Sequence, residues 1–245
     1  MESRNTFSQS DARKTALELE NKSAEEILLW SSKTFGGKLV LSTSFQATGM
    51  VILDMLSKIS PTTRVITLDT GRLPKATYEL IDDVQKRYGI EIEVQYPDNN
   101  ELKNIVTKHG INMFYRSYSL RLLCCEKRKV EPLNRALTHF DAWITGLTRH
   151  QGGIRTDIPK VSIDKSHGNM LKINPIADWT TEMIWDYIEK NKIPYNKLYD
   201  EGYTSIGCDP CTRPIKKHED DRSGRWWWEK GMPKECGIHF NTKTD

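Results

Sequence analysis

The chain has 245 residues, of which 37% are hydrophobic, 9% aromatic and 28% charged, with a mean hydropathy of -0.61; that is enough to bury one substantial core in water. Its formal charge of +3 gives no case for nucleic acid, whose binders concentrate basic residues into a dominant patch. The polar, mixed-charge start and the lack of any apolar run of spanning length argue against a secretory signal and a membrane span, so a cytoplasmic protein is expected.

Taken in chain order, apolar residues recur at helical spacing over 11–33, which predicts one or two helices leading into Gly36-Gly37. A strand over 38–41 meets a hydroxyl-rich loop, Ser42-Thr43-Ser44, and a helix over 50–59 follows. The second strand, 64–68, ends at Asp69-Thr70-Gly71; a helix over 74–88 carries proline in its first turn, where the missing N–H costs nothing. A third strand is expected over 90–95, helices over 100–109 and 119–138, and a strand over 142–147. A short strand over 172–174 and a Thr-capped helix over 180–191 complete the periodic part. Alternation of strands and helices implies an α/β fold with a doubly wound, mostly parallel sheet. The expected division is an N-terminal helical segment (1–36), a nucleotide-binding α/β domain (37–206) and a C-terminal segment (207–245) belonging to the same domain. From about Tyr195 the periodicity fades while Gly, Pro, Cys, Arg and Trp accumulate, so chemistry is expected there, on a mobile tail.

Two loops at strand ends point to a ligand. The first, running from Ser42 and Ser44 to Gly49, puts hydroxyls and backbone N–H groups at a helix N-terminus, which suits an anion. The second, Leu68 to Arg72, lies at the carboxyl edge where open α/β sheets bind ligands. The first loop resembles the phosphate-binding loop of the adenine-nucleotide α-hydrolase superfamily without the paired glycines and aspartate of members that cleave ATP. That resemblance favours a nucleotide with fewer phosphates.

The five cysteines are an odd number, which argues against a disulfide framework. Cys124, Cys125, Cys208 and Cys211 form a four-thiol set that satisfies either a tetrahedral zinc site or an iron–sulfur cluster, although zinc ribbons normally use two spaced pairs. Cys236 stands apart.

These motifs in order resemble the assimilatory adenylyl-sulfate reductases, from about Gly37 to His239: Cys124-Cys125 with Lys129-Val130-Glu131-Pro132-Leu133, Gly207-Cys208-Asp209-Pro210-Cys211, Gly224-Arg225-Trp226-Trp227-Trp228, and Glu235-Cys236-Gly237-Ile238-His239. The resemblance implies a [4Fe–4S] cluster on the four paired cysteines, with a non-redox role. It also implies that Cys236 is a nucleophile that takes sulfite from adenosine 5′-phosphosulfate as an S-sulfonate. Thioredoxin or a similar dithiol donor would then free sulfite. Basic residues matching Lys129, Arg155, Arg222 and Arg225 would line the substrate site, with Ser42, Ser44, Leu68, Gly146 and His239 as further contacts. Arg149 is another candidate cation, and Lys234 and His239 could lower the Cys236 pKa. The run from Gly146 to Arg155 and the loop Phe45 to Gly49 depart from the commoner family versions. The tryptophans at 226–228 are expected to pack the tail rather than bind substrate.

A 3′-phosphoadenylyl-sulfate reductase is the nearest alternative, since that group shares the terminal cysteine motif but generally lacks the paired cluster cysteines. An adenylyltransferase or ATP pyrophosphatase on the same fold lacks support in the loop, and a zinc-stabilised binding module leaves Cys236 unexplained. A homo-oligomer is compatible with the sequence.

Overall fold

The computed structural model describes residues 7–232, 234, 235 and 237–239. Six strands form one sheet in the order β3-β2-β1-β4-β6-β5: β1 (Leu39–Ser42), β2 (Arg64–Leu68), β3 (Ile92–Gln95), β4 (Ala142–Ile144), β5 (Val161–Asp164) and β6 (Met170–Ile173). All neighbours pair in parallel except β5, which runs antiparallel to β6 at the edge.

Side-chain alternation along the central strands splits the core into two layers. Leu39 and Leu41 of β1, Ala142 and Ile144 of β4, and Leu171 and Ile173 of β6 join one cluster. It is covered by α1 (Gln9–Leu19), α2 (Ala24–Phe35), α3 (Ala47–Ile59), α4 (Lys75–Tyr88) and α8 (Thr181–Asn191). Val40, Trp143 and Met170 face the other way, onto Leu133, Ala136 and Leu137 of α7 (Glu131–Leu137). A third cluster gathers Ile105 of α5 (Asn99–His109), Phe114, Trp226 and the four cysteines at 124, 125, 208 and 211.

The doubly wound, mostly parallel sheet expected from the sequence is the observed one. The 11–33 stretch resolves into two helices because Ser23 starts a second capping box with Glu26, its hydroxyl accepting from Glu26 N–H at 3.2 Å. The strand expected over 142–147 stops at Ile144, and Thr145, Gly146 and Leu147 instead line a cleft. The helix expected over 119–138 is continuous but not uniform: α6 (Tyr118–Cys125) passes through a π-helical turn, Glu126–Val130, into α7. Strand β5 has no counterpart among the expected elements; at four residues, two of them polar, it carries too little periodicity to register. Among the described residues no helix is long and apolar enough to cross a membrane.

Candidate active site

The chain winds outward from β1 to β3, then returns to place β4 on the other side of β1, so the strand order reverses between β1 and β4. Such a switch point leaves a crevice at the carboxyl ends of the strands. The crevice here is a solvent-open cleft with a cavity volume of about 160 Å³. One wall is the β1–α3 loop, with Ser42, Thr43, Ser44 and the N-terminus of α3; the opposite wall is Thr145, Gly146 and Leu147 after β4.

Two glycines permit close packing here, Gly49 within the first wall and Gly146 between the two. A Cβ on Gly49 would lie 2.3 Å from Thr43 Oγ1, and one on Gly146 would lie 2.7 Å from Thr48 Oγ1 and 3.1 Å from Gly49 N. Gly146 therefore allows the post-β4 backbone to rest against the first turn of α3, whose positive dipole end favours an anion. Gln46 ties this loop to the C-terminal segment, its Oε1 accepting from Ile206 N–H at 3.0 Å.

The positive side of the cleft comes from Lys129, Arg155, Arg222 and Arg225. Arg225 is buried, with Nη1 donating to Ser205 Oγ at 3.2 Å and its guanidinium over the Trp226 ring at 4.6 Å. Among the described residues its Nε, also buried, has no hydrogen-bond partner. Arg222 spans from Ser205 Oγ to the carbonyl of Lys234, which it meets at 2.6 Å. Arg155 donates from Nε and Nη2 to the two carboxylate oxygens of Glu235, at 2.9 and 2.7 Å.

Behind Lys129 lies a second, smaller cavity. Cys124, Cys125, Cys208 and Cys211 line it together with Arg72, Phe114, Arg121, Arg128 and Lys129. All four cysteines are buried, reduced thiols. Burial pushes the Cys124 thiol up and the Cys211 thiol up to about 12. Burial also pushes Cys208 upward, but Lys129, the Thr70 hydroxyl 3.2 Å away, Arg225 and Arg128 outweigh it and hold this thiol below its ordinary range. Dry thiols ringed by cations suit a metal centre, because metal displaces the protons and the cations offset the thiolate charge. Among the described residues, no group of three or more His, Cys, Asp or Glu side chains could hold a metal ion. As a donor set, four thiols around one cavity serve either zinc or an iron–sulfur cluster.

The cleft brings together Ser42, Ser44, Leu68, Lys129, Gly146, Arg155, Arg222 and Arg225, residues scattered over most of the sequence. The expectation for Arg149 is corrected: its Nη2 pairs with Glu20 at 2.7 Å and its Nε donates to the Ile158 carbonyl at 2.9 Å, so it fastens α1 rather than lining the cleft. The Lys234 ammonium donates to the Glu229 carbonyl at 2.7 Å and to that of Trp226, so it is engaged by the tail's own backbone. Cys236 lies outside the described residues, as does the side chain of His239. Trp226 is buried beside the four cysteines, and Trp228 packs on Tyr115 at 4.4 Å, in line with a packing role. Sequence reasoning missed Gln151, which accepts from Arg155, and Glu235 as partner of two cleft arginines. Only the position of Glu235 beside Cys236 could have drawn notice to it.

The pattern described as the phosphoadenosine phosphosulfate reductase domain matches residues 38–214. The chain is 44% identical over 201 residues to adenosine 5′-phosphosulfate reductase of Allochromatium vinosum, covering 82% of this chain and 78% of that protein. It is 42% identical over 229 residues to the protein of the same name from Pseudomonas aeruginosa strain LESB58, covering 91% and 85%. Among solved structures, phosphoadenylyl-sulfate reductase from Candida auris, as a phosphate complex, superposes with a TM-score of 0.75 at 31% identity, covering 87% of this chain and all of that one. FMN adenylyltransferase from Candida glabrata shares the fold, with a TM-score of 0.58 at 16% identity over 88% of this chain and 71% of its own.

Proposed function

The chain belongs to the phosphoadenosine phosphosulfate reductase family, a family of oxidoreductases, and from that premise we propose that it reduces adenosine 5′-phosphosulfate to sulfite and AMP in assimilatory sulfate reduction. The observation that carries this reading is the cleft at the β1–β4 switch point, where a helix N-terminus faces Lys129, Arg155, Arg222 and Arg225. A phosphosulfate brings two anionic groups, and fixed cations offset both that charge and the charge growing on the leaving phosphate.

In the first half-reaction the Cys236 thiolate attacks the sulfonyl sulfur; an S–S bond forms, the S–O bond to phosphate breaks, and the electron pair leaves with AMP. In the second, a thiolate of a dithiol protein of the thioredoxin class attacks Cys236 Sγ and expels sulfite. The donor's second thiol then closes its own disulfide, so the dithiol supplies the two electrons and Cys236 returns as a thiol. Cys124, Cys125, Cys208 and Cys211 would hold a [4Fe–4S] cluster, whose thiolate charge Lys129 and the neighbouring arginines would offset. Lys129 lines both cavities, so it can keep its charge toward the nucleotide while bordering the four thiols. Leu68 and Gly146 would meet the nucleotide through their backbones, and the Ser42 and Ser44 hydroxyls and His239 would complete its contacts. Reduced thiols and a thioredoxin-class donor both fit a cytoplasmic setting.

The test is sulfite release from adenosine 5′-phosphosulfate and from its 3′-phosphorylated form, with thioredoxin, under anaerobic conditions. A higher kcat/KM for the 3′-phosphorylated nucleotide would replace the proposed substrate with the alternative that the Candida auris structure carries in its name. Without reductant, one equivalent of AMP should appear and a sulfonate mass should map to the Cys236 peptide. Mapping to another cysteine would overturn the nucleophile.

A further inference from the structure

The last described stretch of the tail brings a carboxylate onto the cations of the cleft. Glu235 is buried, 5% exposed, and its two oxygens take the Arg155 fork at 2.9 and 2.7 Å. Oε2 also lies 3.2 Å from Arg222 Nη2. Arg155 spends its remaining terminal nitrogen on Gln151. A bidentate guanidinium–carboxylate pair uses the same donors that a phosphate or sulfate would use. With Glu235 docked, the Arg155 fork is therefore already filled, and a nucleotide anion can take it only in exchange.

There is a physical reason for such an arrangement. Arg155 is itself 5% exposed, and a guanidinium kept out of water without a counter-charge is costly. Before substrate arrives something anionic has to neutralise it.

We propose that Glu235 is a displaceable internal anion: it holds the segment leading to Cys236 against Arg155 and Arg222 until the anionic end of adenosine phosphosulfate takes its place. This rests on the reading of Arg155 and Arg222 as ligands of the substrate anion. The exchange ties arrival of the nucleotide to release of the side chain next to the nucleophile. It does not set the tail adrift. Arg121 donates to the backbone carbonyl of Glu235 at 3.0 Å and is itself fixed by Glu229 at 3.0 and 2.9 Å, and Arg121 does not line the cleft. The carboxylate can leave while the backbone at 235 stays tethered, so the segment pivots about that carbonyl.

The experiment compares binding of adenosine 5′-phosphosulfate, by anaerobic titration calorimetry, to Cys236→Ser and to Cys236→Ser carrying Glu235→Gln. The neutral, isosteric amide competes less well, so the double variant should bind at least about tenfold tighter, the equivalent of one charge-assisted hydrogen bond. Glu235→Asp, which keeps the charge but shortens its reach, should fall between the two. Hydrogen exchange of the peptide holding Glu235 should rise when nucleotide is added to Cys236→Ser and should start high in the Gln variant. Equal or weaker binding by the Gln variant overturns the proposal. Arg155→Gln in the same background separates the two levels. If it weakens binding while Glu235→Gln changes nothing, only the exchange is wrong; if neither changes binding, the assignment of Arg155 to the substrate anion fails as well.

Discussion

Replacing Glu229 with alanine tests whether a buried ion pair fastens the C-terminal segment to the domain. Arg121 has no exposure and Glu229 is 5% exposed at its side chain. The guanidinium gives Nε and Nη2 to the two oxygens of Glu229, at 3.0 and 2.9 Å, and Nη1 to the Glu235 carbonyl at 3.0 Å. It also sits over the Trp226 and Tyr118 rings, at 4.4 and 4.7 Å. Glu229→Ala leaves a full charge in a dry site with one carbonyl acceptor and two ring faces, so the cost should be about 3–5 kcal/mol. That is a large share of the roughly 5–15 kcal/mol that holds a domain together. Arg121→Met with Glu229→Leu removes both charges and keeps the stacked volume, so it should cost no more than about 1 kcal/mol. The assay is anaerobic urea unfolding of wild type, both single variants and the double, with midpoints compared at unchanged slope. A Glu229→Ala cost under about 1 kcal/mol, or a double variant as unstable as the single one, would refute a desolvated pair, since only a buried charge makes half a pair worse than none.

Gly207→Ala would put a Cβ 2.4 Å from Arg225 Nη2 and 2.6 Å from its Cζ; the guanidinium must shift, so KM for the phosphosulfate should rise about tenfold, one hydrogen bond to a charged group being worth that much, while the thermal midpoint changes little. Cys208→Ser should lose iron and acid-labile sulfide from anaerobically purified protein; stoichiometric zinc in the wild type would reject the cluster. Burial pushes the Asp164 carboxyl up, but His167 at 2.9 Å and Lys172 at 3.9 Å outweigh it and hold it below the usual carboxylate range. A depressed folded pKa means that its stabilisation is complete above the unfolded value, about 3.9, and is lost as pH falls through the folded one. Asp164→Asn should therefore be less stable by about 1–3 kcal/mol near neutral pH, and its thermal melts should approach those of wild type as pH falls; a gap that does not narrow in acid would count against the ion pair.

The sheet was legible because its central strands are buried on both faces and its helices carry long apolar stripes, as in β1 and α3, where most residues are buried. Edge strand β5 and the π-turn were not legible. The first is short and half polar, and the second is a property of hydrogen-bond register that side-chain identity does not encode. The cleft cations Lys129, Arg155, Arg222 and Arg225 were found through ordered motifs, since nothing in an arginine's neighbours tells a lined cleft from a solvated surface. Arg149 illustrates the difficulty: it lies six residues before Arg155 and yet turns to Glu20 of the N-terminal region. Glu235 escaped because a glutamate in a tail reads as a solubilising charge, and only the fold reveals that Arg155 and Arg222 close on it.

The π-turn explains how one stretch of chain serves two cavities. Cys124 and Cys125 end α6 as adjacent residues, about 100° apart around the helix axis, and both reach the same cavity because it abuts the end of the helix. The widened turn Glu126–Val130 then carries Arg128, which donates to the Thr70 carbonyl at 2.5 Å, and Lys129, which borders the nucleotide cleft as well. A wider turn changes the angular offset between the helical segments on its two sides. With regular α-helical register through 126–130, the α7 face that packs Leu133 and Leu137 under β1 and β4 would fix a different direction for Lys129. With the altered register the thiols, the lysine and the buried face of α7 are all accommodated. Thr70 adds a second link, since its carbonyl receives Arg128 and its hydroxyl lies 3.2 Å from Cys208 Sγ. The loop after β2 thereby touches both the four-thiol cavity, through Thr70, and the edge of the sheet that the cleft occupies.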